Sequence, residues 1–187
     1  ADFDNDGLQD LYFGGNLVAD KIYRNLGDFK FLDKTENSGI LDNGSWSSGI
    51  SIADINNDGL VDVYVSKELY DDNPELRRNK LYINKGDFTF EESSKKWGVD
   101  VSARTRHAVF FDYNNDGLLD LSLSGTSSSS GQIFRIYKNK FVDSVAKTIQ
   151  FIQTNSDIKP FESGQTTWGD INTDGYPDII FSKHFPF

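Results

Sequence analysis

The residues best placed to do chemistry in this sequence are the aspartates of a nine-residue acidic segment that occurs four times. The segment has the form Asp-x-Asp/Asn-x-Asp-Gly-x-x-Asp and begins at Asp2, Asp54, Asp112 and Asp170. Oxygen-bearing side chains at positions 1, 3 and 5, followed by a glycine that permits a tight bend, can converge on one point if a cation neutralises them. Calcium accepts about six to eight oxygen ligands, including a backbone carbonyl from position 7. The pattern therefore predicts one calcium site in each segment, and we refer to the segments as acidic loops 1 to 4.

The predicted ligands are the side chains at positions 1, 3, 5 and 9 and the main-chain carbonyl at position 7. Asparagine replaces aspartate at position 3 in loops 2 to 4 and is expected to act as a neutral oxygen donor. We expect up to four structural Ca²⁺ ions. In chain order the predicted ligands are Asp2, Asp4, Asp6, Leu8, Asp10, Asp54, Asn56, Asp58, Leu60, Asp62, Asp112, Asn114, Asp116, Leu118, Asp120, Asp170, Asn172, Asp174, Tyr176 and Asp178.

Other interpretations of the acidic loops agree less well with the sequence. An EF-hand needs an acidic residue at position 12, but Phe13, Val65, Leu123 and Phe181 stand there. Magnesium prefers fewer protein oxygens, and zinc prefers His or Cys. A solvated turn without an ion is the remaining alternative, and four copies in one register argue against it. The loops carry 13 of the 29 acidic residues, so four divalent ions would change the formal charge from −10 to −2.

The elements that must position these loops are predicted to be strands. The spacing between the loop starts, at positions 2, 54, 112 and 170, makes the repeat about as long as one small sheet. Apolar residues two apart follow each loop, as in Leu11 and Phe13 or Val63 and Val65. This period is typical of a half-buried strand. Apolar residues also precede the loops, for example at 50–52, so each loop is expected to join two strands.

A second repeated segment supports the same register. Residues 21–31 and 80–90 match each other, and 135–139 is a weaker third copy. In the first two copies, turn residues separate two more alternating runs, which indicates a hairpin. Each repeat is therefore predicted to hold four antiparallel strands, with room for a single helical turn at 33–38 and at 92–97.

The composition restricts the classes of function. The 187 residues are 37% hydrophobic and 14% aromatic, which is hard to reconcile with disorder despite a net charge of −10. The excess of acidic residues disfavours binding to nucleic acid and to anionic membrane surfaces. The absence of cysteine excludes disulfides, thiol nucleophiles and Cys-ligated zinc. No apolar run approaches the length that spans a bilayer, so we expect no membrane insertion.

The acidic loop between two strands resembles the FG-GAP, or VCBS, repeat of integrin-α-type β-propellers. The segment Tyr-x-Asn-x-Gly-Asp-x-x-Phe, at 23–31 and 82–90, resembles the branch of that family found in cartilage-acidic-protein relatives. The resemblance covers essentially the whole chain and implies that residues 1–187 are part of one FG-GAP/VCBS domain. It implies an all-β fold of propeller blades with four antiparallel strands each, in which structural ions clip a loop at the rim of each blade.

The repeat length also predicts how much of a propeller is present. With loops that begin at positions 2, 54, 112 and 170, the chain makes little more than three blades, whereas propellers usually close with about four to eight. We expect an incomplete arc of three to four blades, completed by further blades or neighbouring domains of the same polypeptide.

These observations favour a calcium-stabilised module for adhesion or recognition that is not an enzyme. Its ligand, a protein or a glycan, is left open. Two alternatives stand beside it: a glycan-binding or polysaccharide-degrading, lyase-like propeller, and a structural spacer of a larger surface protein. Calcium sites of extracellular modules have dissociation constants of about 10⁻⁴–10⁻³ M and would be largely empty in resting cytosol. We therefore expect an extracellular, cell-surface or periplasmic location.

A few residues outside the loops carry expectations of their own. The insertion at 66–78 is a candidate partner-binding loop, with a solvated loop as the simpler interpretation. His107, close to Arg104 and Arg106, is a candidate general base, but the sequence places no nucleophile or second acid beside it. We expect a structural role for His107. Trp168 is expected to pack between blades, with stacking on a sugar as the alternative.

Overall fold

Short strands joined by tight loops make up the described protein. The computed structural model describes residues 1–40, 42, 44–69, 72–127, 131–143, 148–154 and 166–182. Two single-turn 3₁₀ helices lie at Thr35–Asn37 and Pro74–Arg77, and no helix in the described ranges is long and apolar enough to span a membrane. The strands are β1 (Leu11–Phe13), β2 (Lys21–Asn25), β3 (Phe31–Asp33), β4 (Trp46–Ala53), β5 (Asp62–Glu68), β6 (Lys80–Asn84), β7 (Phe90–Glu92), β8 (Arg104–Phe111), β9 (Asp120–Ser127), β10 (Gly131–Asp143), β11 (Thr148–Thr154), β12 (Thr166–Gly169) and β13 (Asp178–Phe181).

The strands form four antiparallel sheets in which neighbours in the chain are neighbours in the sheet. The strand orders are β1-β2-β3, β4-β5-β6-β7, β8-β9-β10-β11 and β12-β13, and we call these sheets blades 1 to 4. Acidic loop 1 leads into β1, and acidic loops 2, 3 and 4 join β4 to β5, β8 to β9 and β12 to β13. The predicted all-β fold with four-stranded antiparallel blades is thus confirmed, with all four strands in blades 2 and 3. Among the described residues, blade 1 has three strands and blade 4 has two.

Blade 2 is buried on both faces because another blade packs on each side. Val63 and Val65 of β5 lie in an apolar cluster with Ile22 of blade 1. Tyr64, on the opposite face, lies in a second cluster with Leu121 of blade 3. None of these side chains has exposed surface. The alternating pattern predicted a half-buried strand, and this detail was wrong for β5. Alternation indicates only that successive side chains point to opposite faces of the sheet, and both faces of β5 are covered by a neighbouring blade.

The second repeated segment forms hairpins in blades 1 and 2, as expected, with tight turns after Asn25 and Asn84. The weaker copy in blade 3 differs, because β10 continues through Asn139 without a turn before it pairs with β11. The helical turn predicted at 33–38 is present. The one predicted at 92–97 is a hydrogen-bonded turn rather than a helix.

Side chains as well as apolar clusters join neighbouring blades. The Ser51 hydroxyl of β4 donates to the carbonyl of Ala108 in β8 at 2.6 Å. Trp168 of β12 stacks on Phe111 of β8, with ring centroids 3.8 Å apart and 16° between the planes. The Trp168 indole N–H donates to the Ser122 hydroxyl at 2.9 Å. Trp168 therefore packs between blades 3 and 4, as the sequence predicted.

The insertion at 66–78 lies only partly within the described residues, because positions 70 and 71 fall outside them. Its described part contains the 3₁₀ helix Pro74–Arg77. Beyond that helix, the Arg78 guanidinium pairs with Asp100 at 3.1 Å and with Glu75 at 2.9 Å. The contact with Asp100 holds the C-terminal end of the insertion against the segment that precedes β8.

Candidate metal centres

The four acidic loops share one conformation, which their own aspartates hold. In loop 2 the Asp54 carboxylate accepts the N–H groups of Asp58 (3.0 Å) and Gly59 (2.8 Å), and the Asp58 carboxylate accepts the N–H of Leu60 (3.0 Å). The same three hydrogen bonds recur in loops 1, 3 and 4 at 2.7–3.2 Å. Gly59 has a φ of +88°, while a Cβ there would meet no atom within 4 Å. The glycine is therefore required by the backbone conformation and not by crowding.

The aspartate at position 9 is a buried anchor in loops 1 to 3. Asp62 has no exposed surface and accepts the N–H groups of Ile55 (3.0 Å) and Asn84 (2.8 Å), one on each oxygen. Asp10 and Asp120 make the equivalent pair of bonds in loops 1 and 3. Each oxygen of such a carboxylate keeps a second lone pair, so these amide bonds do not prevent the position from contacting a cation.

Loop 1 brings three carboxylates together. Asp2, Asp4 and Asp10 each offer an oxygen that lies within 4.8 Å of the other two. The Asp4 side chain is only 10% exposed, and its Oδ1 atom is buried without a hydrogen-bond donor. Burial raises the pKa of Asp4 although the nearby Arg24 charge lowers it. An unpaired buried carboxylate oxygen costs free energy unless a cation reaches it, and a set of hard oxygens such as this one fits calcium.

Loops 2 to 4 carry asparagine at position 3, which contacts the aspartate at position 5. In loop 2 the Asn56 amide donates to Asp58 Oδ2 at 2.8 Å, and its oxygen accepts the N–H of Asp58 at 3.1 Å. Loops 3 and 4 repeat both contacts, which link Asn114 with Asp116 and Asn172 with Asp174. The residue at position 7 follows the glycine, and its N–H group donates to the carboxylate at position 5. In loops 1 to 4 this residue is Leu8, Leu60, Leu118 and Tyr176, respectively.

The buried position 9 aspartates of loops 2 and 3 have raised pKa values. Burial, reinforced by the charges of Asp58 and Asp54, raises the pKa of Asp62 to about 7 against the amide hydrogen bonds that lower it. Burial likewise raises the pKa of Asp120 to about 6. A carboxylate that ionises with such difficulty near neutral pH is one that a bound cation would stabilise. The electrostatics of the position 9 aspartates therefore fit a cation in these loops.

Two of the acidic loops are contacted by a basic side chain: Arg24 of β2 contacts loop 1, and Lys138 of β10 contacts loop 3. In loop 1, Arg24 Nε lies 2.7 Å from Asp4 Oδ2 and forms an ion pair with it, without the geometry of a hydrogen bond. The Arg24 guanidinium also donates a hydrogen bond to Asp6 Oδ2 at 3.0 Å. In loop 3, Lys138 Nζ lies 3.1 Å from Asp116 Oδ2. Burial alone would raise the pKa of Asp116, but its hydrogen bonds, chiefly from Lys138, bring it below the ordinary value.

Asparagine side chains tie consecutive acidic loops together. The asparagine at position 4, which has a left-handed backbone conformation, donates to the carbonyl of the position 6 glycine in the next loop. The spacing within one repeat does not indicate these bonds, because each joins residues of two different repeats. They run from Asn5 to Gly59 (3.0 Å), from Asn57 to Gly117 (3.3 Å) and from Asn115 to Gly175 (2.6 Å).

A second asparagine links neighbouring loops from within the sheet. The buried Asn84 amide donates to the carbonyls of Phe3 in loop 1 (2.8 Å) and Val61 in loop 2 (3.1 Å). Asn139 makes the corresponding bonds to Ile55 of loop 2 (3.1 Å) and to Leu119 of loop 3 (3.0 Å). The asparagine that marks the second repeated segment thus joins its own loop to the preceding one.

A buried ionic cluster between blades 1 and 2 was not predicted from the sequence. Lys67 Nζ lies 2.7 Å from Ser47 Oγ, 3.3 Å from Asp42 Oδ1 and 3.6 Å from Asp20 Oδ2. The Lys67 and Asp20 side chains have no exposed surface. A signal for this cluster was present, because period two places Lys67 on the same face as the buried Val65. The cluster lies at the end of β5 away from acidic loop 2.

The candidate general base, His107, lies in β8 and contacts β12 of blade 4. His107 is half-buried in β8, and its Nδ1 atom has no hydrogen-bond partner there. Burial lowers the pKa of His107, although a hydrogen bond with the Thr166 main chain raises it. His107 lines a pocket together with Thr166, Thr167, Ile180 and Ser182. This environment is consistent with the structural role expected for His107.

The comparisons with known proteins agree with this architecture. The FG-GAP-like repeat pattern matches residues 2–65 and 70–123. Among curated proteins, the chain is similar to cartilage acidic protein 1 of Homo sapiens, with 26% identity over 183 residues, which cover 92% of this chain and 26% of that protein. It is also similar to cartilage acidic protein 1 of Xenopus tropicalis, with 24% identity over 186 residues, 95% of this chain and 27% of that protein. The chain thus spans about a quarter of the length of these relatives. The repeated acidic loop between antiparallel strands and the match over more than half of its residues show that this chain belongs to the FG-GAP-like repeat family.

Proposed function

We propose that this chain is part of a calcium-stabilised, extracellular β-propeller module that serves adhesion or ligand recognition and performs no catalysis. Each acidic loop would hold one Ca²⁺ through the side-chain oxygens at positions 1, 3, 5 and 9 and the carbonyl at position 7. The ion would neutralise the crowded carboxylates of the loop. It would thereby stabilise the connections on which the blades depend, and its role would be structural.

The observation that carries the proposal is the buried Asp4 Oδ1 atom. It has no donor, and one oxygen of the Asp4 carboxylate lies within 4.8 Å of an oxygen of Asp2 and an oxygen of Asp10. Three converging carboxylates repel one another strongly in a partly buried site, so this arrangement calls for a cation. The raised pKa values of Asp62, about 7, and Asp120, about 6, support the same conclusion for loops 2 and 3.

An extracellular location follows from the strength expected of such sites. Calcium sites in extracellular modules have dissociation constants of about 10⁻⁴–10⁻³ M, which match the calcium concentration outside cells. Because the chain spans about a quarter of its curated relatives, we propose further blades or domains of the same polypeptide as its immediate neighbours. The ligand would be a protein or a glycan outside that assembly.

Thermal unfolding with calcium and with EDTA tests the proposal. At about 1 mM free calcium, each site should add about 0.4–1.4 kcal/mol, or about 2–6 kcal/mol for four sites. For a chain of this length the expected gain in melting temperature is about 5–20 °C. Asp58→Ala should remove the share of this gain that belongs to loop 2. Asp87→Ala, in the exposed hairpin turn of the same blade, should keep the full difference between calcium and EDTA. Wild-type melts that overlay in the two buffers would refute the proposal.

A further inference from the structure

The basic side chains that reach the acidic loops occupy one position in the repeat, and blade 2 lacks them. Arg24, Ile83 and Lys138 each directly precede the asparagine that bonds the position 9 aspartate. Arg24 pairs with Asp4 and Lys138 pairs with Asp116. Ile83 is instead fully buried in the apolar cluster between blades 2 and 3. Among the described residues, no cationic side chain pairs with a carboxylate of loop 2.

A comparison of loops 2 and 3 shows what the basic side chain beside the loop contributes. Their predicted ligands are the same types in the same order: Asp, Asn, Asp, Leu and Asp. Their corresponding backbone hydrogen bonds also have closely similar lengths, 2.8–3.0 Å in loop 2 and 2.7–3.1 Å in loop 3. The side chain before the asparagine, Ile83 or Lys138, therefore stands out as a difference in charge between two loops that share their ligand types and backbone hydrogen bonds.

We propose that this position sets the calcium affinity of each loop. Arg24 and Lys138 act as tethered cations that weaken binding in loops 1 and 3, whereas Ile83 leaves loop 2 with a higher affinity than loop 3. The inference rests on the proposed function, since it requires that the loops bind calcium. A positively charged side chain that is paired with a loop carboxylate repels a Ca²⁺ ion. It also neutralises part of the negative charge that would attract the ion. Loop 1 still has the buried, donor-free Asp4 Oδ1 atom and the three converging carboxylates of Asp2, Asp4 and Asp10, so its tethered cation lowers the affinity without closing the site.

The expected size of the effect follows from charges a few ångströms apart near the protein surface. One positive charge beside a dication should change the dissociation constant by about three- to tenfold at moderate ionic strength. At about 1 M salt, where the screening length is about 3 Å, most of this difference should vanish. As calcium rises, loop 2 should fill before loop 3. Loop 1 has a fourth carboxylate, which raises its calcium affinity, as well as a tethered cation, which lowers it. Its affinity relative to loops 2 and 3 depends on both groups.

A calcium titration followed by NMR can report on each loop separately. The position 6 glycines Gly59 and Gly117 donate their N–H groups to the position 1 aspartates, so their amide signals should respond to an ion in their own loop. We expect a midpoint for Gly117 about three- to tenfold higher than that for Gly59. Lys138→Met should bring the Gly117 midpoint down to that of Gly59 and leave Gly59 unchanged. Lys140→Met, an exposed change of the same charge on the same strand, should move either midpoint by less than about twofold.

A second pair of variants applies the same test to loop 1. Arg24→Met should lower the midpoint for Gly7 by about three- to tenfold. Lys21→Met, on the same strand but paired with Asp33, should leave the Gly7 midpoint within about twofold.

The possible outcomes separate this inference from the proposed function. If the loop glycines respond to calcium but Gly59 and Gly117 share one midpoint, or if Lys138→Met leaves their difference intact, the inference is overturned while calcium binding stands. If none of the loop glycines responds up to about 20 mM calcium, well above the range of extracellular sites, both the inference and the proposed function fail. Folding of each variant is checked by its spectrum before the titration.

Discussion

Truncation of Asn84 tests the hydrogen bonds that hold consecutive acidic loops together. Its buried amide donates to the carbonyls of Phe3 and Val61, and its oxygen accepts the N–H of Gly86. Asn84→Ala would leave these groups without partners while keeping the main-chain bond to Asp62. A lost bond that leaves a buried polar group unpaired costs about 1–3 kcal/mol. With the bond to the Phe3 carbonyl buried and the other two bonds partly buried, we expect a loss of about 2–4 kcal/mol in the free energy of unfolding.

Two homologous positions in the chain provide the internal comparison. Asn139→Ala should cost slightly less, because the Asn139 amide makes two equivalent bonds but its oxygen has no donor. Asn25→Ala should cost about 1 kcal/mol, since Asn25 is only half-buried and its amide donates to one carbonyl, that of Gln9. Urea unfolding in calcium-saturated buffer gives all three values. A loss for Asn25→Ala that equals or exceeds the loss for Asn84→Ala would refute the reasoning.

Three further predictions concern the buried Lys67 and two residues with a positive φ. Lys67→Met should destabilise the fold by about 3–5 kcal/mol at neutral pH, as measured by urea unfolding, because two buried carboxylates lose their cation. Burial raises the pKa of Asp20, so this loss should shrink as the pH falls and the carboxyl group becomes protonated; a loss independent of pH would contradict this account. Gly59→Ala should cost about 1–2 kcal/mol through its φ of +88° alone, and an unchanged urea midpoint would argue against it. Thr173 holds a φ of +61°, so Thr173→Asn should raise the melting temperature, whereas Thr173→Val should not.

The repeated features of the fold could be predicted from the sequence because each depends on the spacing of residues that are close together in the chain. The acidic loops were predicted to connect strands from the apolar residues on either side, as at Val63 and Val65, and blades 2 and 3 confirm this. Trp168 was expected between blades from its place just before loop 4, and it stacks there on Phe111. These signals depend only on residues near one another in the chain.

The features that were missed depend on distant residues. Asn84 bonds a carbonyl 81 positions away, and no spacing in a single repeat indicates that partner. The burial of both faces of β5 also depends on neighbouring blades, since an isolated sheet would leave one face in solvent. Lys67 is different, because its place in the alternation of β5 with Val63 and Val65 could have revealed a buried charge. The carboxylates that balance Lys67 belong to another repeat.

The central claim is that calcium occupies the acidic loops, and a crystal grown in calcium tests it most directly. Anomalous scattering should show a peak in each of loops 1 to 4, with oxygen ligands at about 2.3–2.6 Å from Asp2, Asp54, Asp112 and Asp170 and from the other predicted positions. Peaks absent from all four loops at saturating calcium, with water alone beside the buried Asp4 Oδ1 atom, would contradict the account.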